Sequence, residues 1–385
     1  MSARYPVWHP FTDMSEFSRN PRVITRGEGI YLFDQKGKRY LNMMSCLMNA
    51  HVGLGREEIV EAVAESLRTL SFSTLEHTSH PHAIALANLL AELTPGDLNI
   101  SFFGTSGSEA VEAAIKIVRL YAHLTHRPEK TEIITLEEAY HGVTYGAVSA
   151  SGMDMLTEGY GPTLGGFHRV ERAYCYRCPV GKALPSCEIA CAALLEKKIL
   201  EIGAHRVGAF MLEPVMGVGG VILPPTAYFK AIREICDRHE VLLVFDEVMT
   251  GFGRTGHMFA AQTFDTTPDL MILSKGINSG YLPLSVTMVT ERVYDVFVKA
   301  GEAGILAHGS TTGGHPASCA SALANIDIIR REGLCERAER MGAFLKRGLA
   351  HLAEQVDIVG EVRTVGLLIG IELVSDRLTR EPFGE

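Results

Sequence analysis

The 385-residue chain lacks any apolar run long enough to cross a bilayer. Its longest runs, such as Val241-Leu-Leu-Val-Phe245, fall far short of the ~20 residues a spanning helix needs. It also lacks a surplus of positive charge. Lysine and arginine number 36 against 45 acidic residues, a formal net charge of −9. A nucleic-acid binder needs basic side chains to displace counterions from phosphates, so no such partner is expected, and no membrane either. The opening residues MSARYPVWHP hold no hydrophobic stretch that could serve as a signal peptide, which points to a cytoplasmic protein. There is no fixed-period repeat, no G-x-S-x-G elbow, no H-E-x-x-H and no Walker loop. The 15 histidines show no metal-ligand spacing, and no metal is expected at the site.

What is present describes a large globular protein. Hydrophobic residues make up 46% and charged residues 21%, enough to build a sizeable core, and the length suits two domains. Eight cysteines without a secretory signal read as mostly reduced thiols. Four of them, Cys175, Cys178, Cys187 and Cys191, form C-x2-C-x8-C-x3-C in one loop-like stretch. Two such pairs can make a tetrahedral thiolate site for zinc. The short eight-residue gap, with Pro179 and Pro185 constraining it, favours four reduced cysteines in an insertion instead.

Short β-branched runs alternate with longer segments of helical spacing. Strands are expected at Glu132–Thr135, Val207–Leu212, Val241–Phe245 and Leu270–Leu273, with helices at Ser108–Leu124, Pro224–His239 and Pro316–Arg331. Such alternation makes an α/β protein with a mostly parallel sheet covered on both faces. Residues 22–42 read as a short β-meander. Residues 334–374 read as an amphipathic helix followed by two strands. The expected division is an N-terminal segment 1–55, a large central domain 56–312 and a C-terminal segment 313–385, the two ends combining into a smaller domain.

Four features fall at the C-terminal ends of predicted strands, where open α/β sheets bind ligands. Gly104-Thr-Ser106-Gly107-Ser108 leads into a helix, and a small-residue loop at a helix N-terminus suits either a phosphate or an ordinary cap. Asp246 closes a strand of five apolar residues, a costly place for a carboxylate without a partner. Lys275 closes another; a partly desolvated lysine has a lowered pKa and a nucleophilic amine. The plainer reading of these two is a salt bridge between neighbouring strands. Tyr140, in Ala139-Tyr-His141-Gly142, could cover a planar ring or simply pack. Together a phosphate cradle, an acid, an amine and an aromatic lid describe a site for pyridoxal phosphate. Gly251-Phe-Gly-Arg-Thr-Gly256 matches the dinucleotide fingerprint only weakly, because no small-residue helix begins after it.

From Trp8-His-Pro-Phe-Thr12 almost to its end, the chain resembles the class III (omega) aminotransferases of fold type I. The stretches that carry the likeness are SGSEAVEAAIKIVR, AYHGVTYGAVSASG, EPVMGVGG, VFDEVMTGFGRTG, PDLMILSKGINSGYLPL and HGSTTGGHPAS. The resemblance implies Lys275 as the Schiff-base lysine and Asp246 as partner of the pyridine nitrogen. It puts Ser106, Gly107 and Ser108 on the cofactor phosphate, and Tyr140, with His141 beside it, and Val248 on the two ring faces. Thr311 is implied to reach the phosphate of a neighbouring subunit, hence a homodimer with shared active sites. The expected reaction moves an amino group from an amine or omega-amino acid to a keto acid such as pyruvate. The alternatives are a same-fold aminomutase or decarboxylase, or a non-catalytic relative that keeps the dimer.

Departures from the family narrow this expectation. Val218 and Met249 stand where ornithine- and 4-aminobutyrate-type members carry Glu and Gln, as in the amine and omega-amino-acid:pyruvate branch. Met48 replaces a bulky pocket tryptophan, Thr312 and Gly313 replace Tyr and Ser after Thr311, and the Trp8 motif is similar to diaminopelargonate-forming members. The family's carboxylate-gripping arginine lies beyond Glu385. Arg363 and Arg377 are the candidates left for that role.

Overall fold

The computed structural model describes residues 5–384. After a short helix, Met14–Phe17, come three antiparallel strands, β1 (Ile24–Glu28), β2 (Tyr31–Asp34) and β3 (Arg39–Leu41), the expected meander. The central sheet has seven strands: β4 (Ile100–Gly104), β5 (Glu132–Leu136), β6 (Phe167–Val170), β7 (Val207–Leu212), β8 (Leu242–Asp246), β9 (Leu270–Leu273) and β10 (Ser285–Val289). Their spatial order is β4-β10-β9-β8-β7-β5-β6. Every neighbouring pair is parallel except those of β10, which runs antiparallel to both β4 and β9. β11 (Val359–Val365) and β12 (Leu368–Leu373) form a separate antiparallel pair near the end. The α/β expectation, with a mostly parallel central sheet, is met.

The strands read as unbroken apolar runs because both sheet faces are covered. Side chains alternate between faces at period two. Leu242 and Val244 therefore point to a layer with Val111, Ala114 and Val118 of the helix Gly107–Leu124. Leu243 and Phe245 point the other way, to a layer with Tyr228, Phe229 and Ile232 of the helix Thr226–Arg238. Burying each of these large side chains contributes roughly 1.5–3 kcal/mol. The helix Pro316–Arg331 carries proline in its first turn, where no N–H bond is lost. It packs against the helices Glu57–Thr69 and Pro81–Leu93 and reaches the turn after β9.

This topology gathers the chemistry along one edge. β4, β5, β7, β8 and β9 all run in one direction, so Gly104, Tyr140, Glu213, Asp246 and Lys275 follow their C-terminal ends.

Candidate active site

β8 and β9 are neighbours, with Asp246 opposite Ile272 in the register, so Asp246 and Lys275 close adjacent strands as their spacing predicts. They do not form the plain salt bridge. Asp246 is 4% exposed and spends its carboxylate elsewhere: Oδ2 accepts from His141 Nδ1 at 2.8 Å, and Oδ1 accepts from Val248 N at 3.1 Å. The carboxylate acceptor fixes the His141 proton on Nδ1. Burial opposes charge on His141, but the hydrogen bond and charge of Asp246 outweigh it and hold the imidazole above its ordinary pKa.

Lys275 has a left-handed backbone, φ 45°, in a short 3-10 turn Lys275–Ile277. Strain of that kind persists only where the surroundings over-determine it. Here the helix Pro316–Arg331 supplies the hold. Asn325 Nδ2 donates to Gly276 O at 2.8 Å and to Ile277 O at 3.0 Å, and Asn278 Nδ2 donates to Leu282 O and Ser318 O. Ser321 Oγ donates to Asn278 Oδ1. Burial lowers the Lys275 pKa, the Asp246 and Glu213 charges raise it, and Arg254 lowers it again. Among the described residues the amine makes no ion pair within 4 Å.

The loop after β4 is drawn tight by Glu109, whose Oε2 accepts from Thr105 N, Thr105 Oγ1 and Ser310 Oγ. Ser106 caps the helix Gly107–Leu124, its Oγ accepting from Glu109 N. The first N–H groups of the helix, at Gly107 and Ser108, have no intrahelical acceptor and suit a phosphate. Ser108 Oγ also accepts from Val143 N at 3.1 Å, joining this loop to the one that carries Tyr140. The Ser310 contact brings the Thr311 loop to the same helix start, with Thr311 itself exposed.

Three residues here escaped the sequence reading. Glu213, 5% exposed, closes β7 as Asp246 closes β8, and that parallel position was its legible signal. Its two oxygens accept from Tyr140 N at 3.0 Å and Gly217 N at 2.8 Å, and burial pushes its pKa up to about 7. Asn325 lies in a helix interior and had no signal, since its partners are carbonyls remote in sequence. Arg254 is the third. It is largely buried, donates to Met48 O at 3.0 Å, and leaves its buried Nε without a partner. No carboxylate pairs with it among the described residues, and burial lowers its pKa. Its charge is felt by both Lys275 and His51.

Arg363 is not free to grip a carboxylate. Arg363 is consumed by Glu361, Glu372, Tyr174 and the carbonyls of Gly220 and Val221, because it docks β11 onto the body of the protein. Arg377 lies exposed beyond β12. Met249 and the Val218 loop do meet. Met249 is buried, and its Sδ would lie 2.2 Å from a Cβ at Gly217, in the loop that carries Val218.

The residues present fit pyridoxal phosphate. A Cβ on Gly107 would sit 3.2 Å from Val248, so glycine keeps the space between the helix start and that side chain open. Gly142 has φ +123°, and a Cβ there would strike Ser108 Oγ at 2.3 Å, so the Tyr140 loop closes on the helix start only through glycine. His141 Nε2 is buried and unpartnered beside Asp246, and Lys275 keeps a free amine.

The class-III aminotransferase family profile matches residues 14–383. The adenosylmethionine-8-amino-7-oxononanoate aminotransferase of Geobacter sulfurreducens is 41% identical over 99% of this chain and 84% of its own. The putrescine–pyruvate aminotransferase of Pseudomonas aeruginosa is 38% identical over 97% of this chain and 82% of its own. An amine transaminase from an uncultivated Pseudomonas species, solved with pyridoxal phosphate bound, superposes with a TM-score of 0.95 at 37% identity, covering all of this chain and 87% of that one. The fold, the matched motifs and the site therefore agree, and the chain belongs to the class-III aminotransferases, pyridoxal-phosphate-dependent enzymes of fold type I.

Proposed function

We propose that this aminotransferase takes its amino group from an amine or omega-amino acid and delivers it to a keto acid such as pyruvate. The observation that carries the reading is a partly buried Arg254 without a carboxylate partner, whose charge is felt by Lys275. An amine donor needs no counter-charge for a side chain, while a keto acid needs one cation, and arginine supplies it bidentately. The pyruvate partner of the Pseudomonas aeruginosa relative supports the same reading.

Lys275 would hold the cofactor through Nζ, Ser106, Gly107 and Ser108 its phosphate, Tyr140 and Val248 its ring faces, and Asp246 its ring nitrogen, with His141 fixing Asp246. Pyridoxal phosphate supplies an electron sink when bound. Lys275 Nζ, whose lowered pKa favours the unprotonated amine, would take the proton from the donor carbon as general base and give it back as general acid. Asp246 holds its negative charge toward the ring because His141 and the Val248 N–H orient it.

The two ends of the chain, 1–55 and 313–385, are read as one smaller domain beside the large domain 56–312. The enzyme is read as a cytoplasmic homodimer in which Thr311 reaches the partner's phosphate. Exposed Met43 and Leu47, at 82% and 68%, support a covered face beside the site. Incubating the purified enzyme with an amine and pyruvate should yield alanine, and Lys275→Ala should abolish it. Alanine formation that survives in that variant sinks the reading, and product formed without any keto acid would favour a decarboxylase or mutase.

A further inference from the structure

The segment 171–191, between β6 and the helix Ala192–Ile202, contains no strand or helix. Irregular segments of that length inside a compact domain are uncommon and need something to fix them. This one is nevertheless ordered enough to dock another element. Tyr174 Oη donates to Glu372 Oε2 at 2.6 Å, Arg177 pairs with Glu372, and Arg363 Nη1 donates to Tyr174 Oη at 2.7 Å. The segment therefore anchors β11 and β12.

Cys175, Cys178, Cys187 and Cys191 all line one cavity of about 20 Å³, together with Pro179 and Lys182. That volume is on the order of a single water or ion. Cys187 and Cys191 are buried, and none of the four is in a disulfide. In the present rotamers no three metal-ligating side chains among the described residues meet at one point, so ligation requires the thiols to turn inward.

We propose that Cys175, Cys178, Cys187 and Cys191 bind one zinc ion as a structural staple of this segment, separate from the catalytic site. Each thiol that ligates releases its proton to solvent, giving a tetrathiolate of net charge −2 that Lys182 at the cavity wall partly offsets. Both spacings, C-x2-C and C-x3-C, are those of chelating pairs.

The test is metal content of the holoenzyme expressed in zinc-supplemented medium and desalted. About one zinc per chain is expected, lost in Cys187→Ser/Cys191→Ser. Cysteine-ligated cobalt in its place should give an intense thiolate charge-transfer band. Should that double variant fail to fold, Cys175→Ser/Cys178→Ser, on the more exposed side, gives the same reading. The wild type must also yield its thiols to a mercurial with release of zinc. Zinc far below stoichiometric, zinc retained in both double variants, or four of the eight thiols found as disulfides in the fresh protein would each overturn the proposal.

Discussion

His141 Nδ1 donates to Asp246 Oδ2 at 2.8 Å with both side chains buried, and this contact keeps the aspartate from pairing with Lys275. An ion pair between adjacent strand ends would have tied up the amine that the reaction needs. The histidine instead orients the carboxylate and leaves Lys275 unpaired and lowered in pKa by burial. Asp246→Asn should therefore keep the cofactor bound through Lys275 and the Gly107 helix start. Its kcat should fall by about 100-fold or more, as removed electrostatic stabilisation does. Cofactor absorbance and steady-state turnover on the same preparation check this, and near-parental turnover would refute the ring-nitrogen role.

The lysine turn is held from outside by Asn325. Asn325→Asp preserves shape but replaces the donor with acceptors, so the carbonyls of Gly276 and Ile277 lose their partner. Each buried unpaired carbonyl costs about 1–3 kcal/mol. The thermal midpoint should drop by several degrees and kcat should fall with it. Asn325→Gln should do less damage, because it still donates.

Arg254 offers the unpaired cation for the keto acid. Arg254→Met should raise KM for pyruvate by about 10-fold or more, the equivalent of one lost charge-assisted bond. The KM for a simple amine should stay within about 2-fold, since that donor has no carboxylate to seat. Equal rises in both KM values would show that Arg254 acts only through the Met48 loop it supports.

His51 gives a pH dependence whose sign follows from its burial. Its Nδ1 donates to Asn49 O at 3.0 Å, and burial holds the imidazole neutral, with its pKa lowered to about 3. The unfolded chain takes up a proton near pH 6.5 that the folded chain refuses. Stability from this group is thus complete above about pH 6.5 and is lost as pH falls toward 3. The slope is at most about 1.4 kcal/mol per pH unit. Denaturation midpoints of parent and His51→Gln between pH 7 and pH 4 should converge as the pH drops. Parallel curves would contradict it.

Much of the architecture was written in the sequence. The apolar runs at 207–212, 241–245 and 270–273 read as strands buried on both faces, and the helix Pro316–Arg331 starts and stops where its proline and paired arginines place it. Lys275 and Asp246 were legible because a charged residue at the end of an apolar run is costly without a partner, and the Ser106–Ser108 loop because small residues before a helix N-terminus suit an anion. The partners of those residues were not legible. His141 lies 105 positions from Asp246, and Asn325 lies 49 from the carbonyl it holds. Only the order of strands in the sheet brings them together. Spacing could likewise not decide that Asp246 would choose His141 over Lys275, nor that Arg363 would be spent on Glu361, Glu372 and Tyr174 while Arg254 stayed unpaired. Local pattern determines which segments are buried, whereas the pairing of buried charges depends on which chain ends the fold sets side by side.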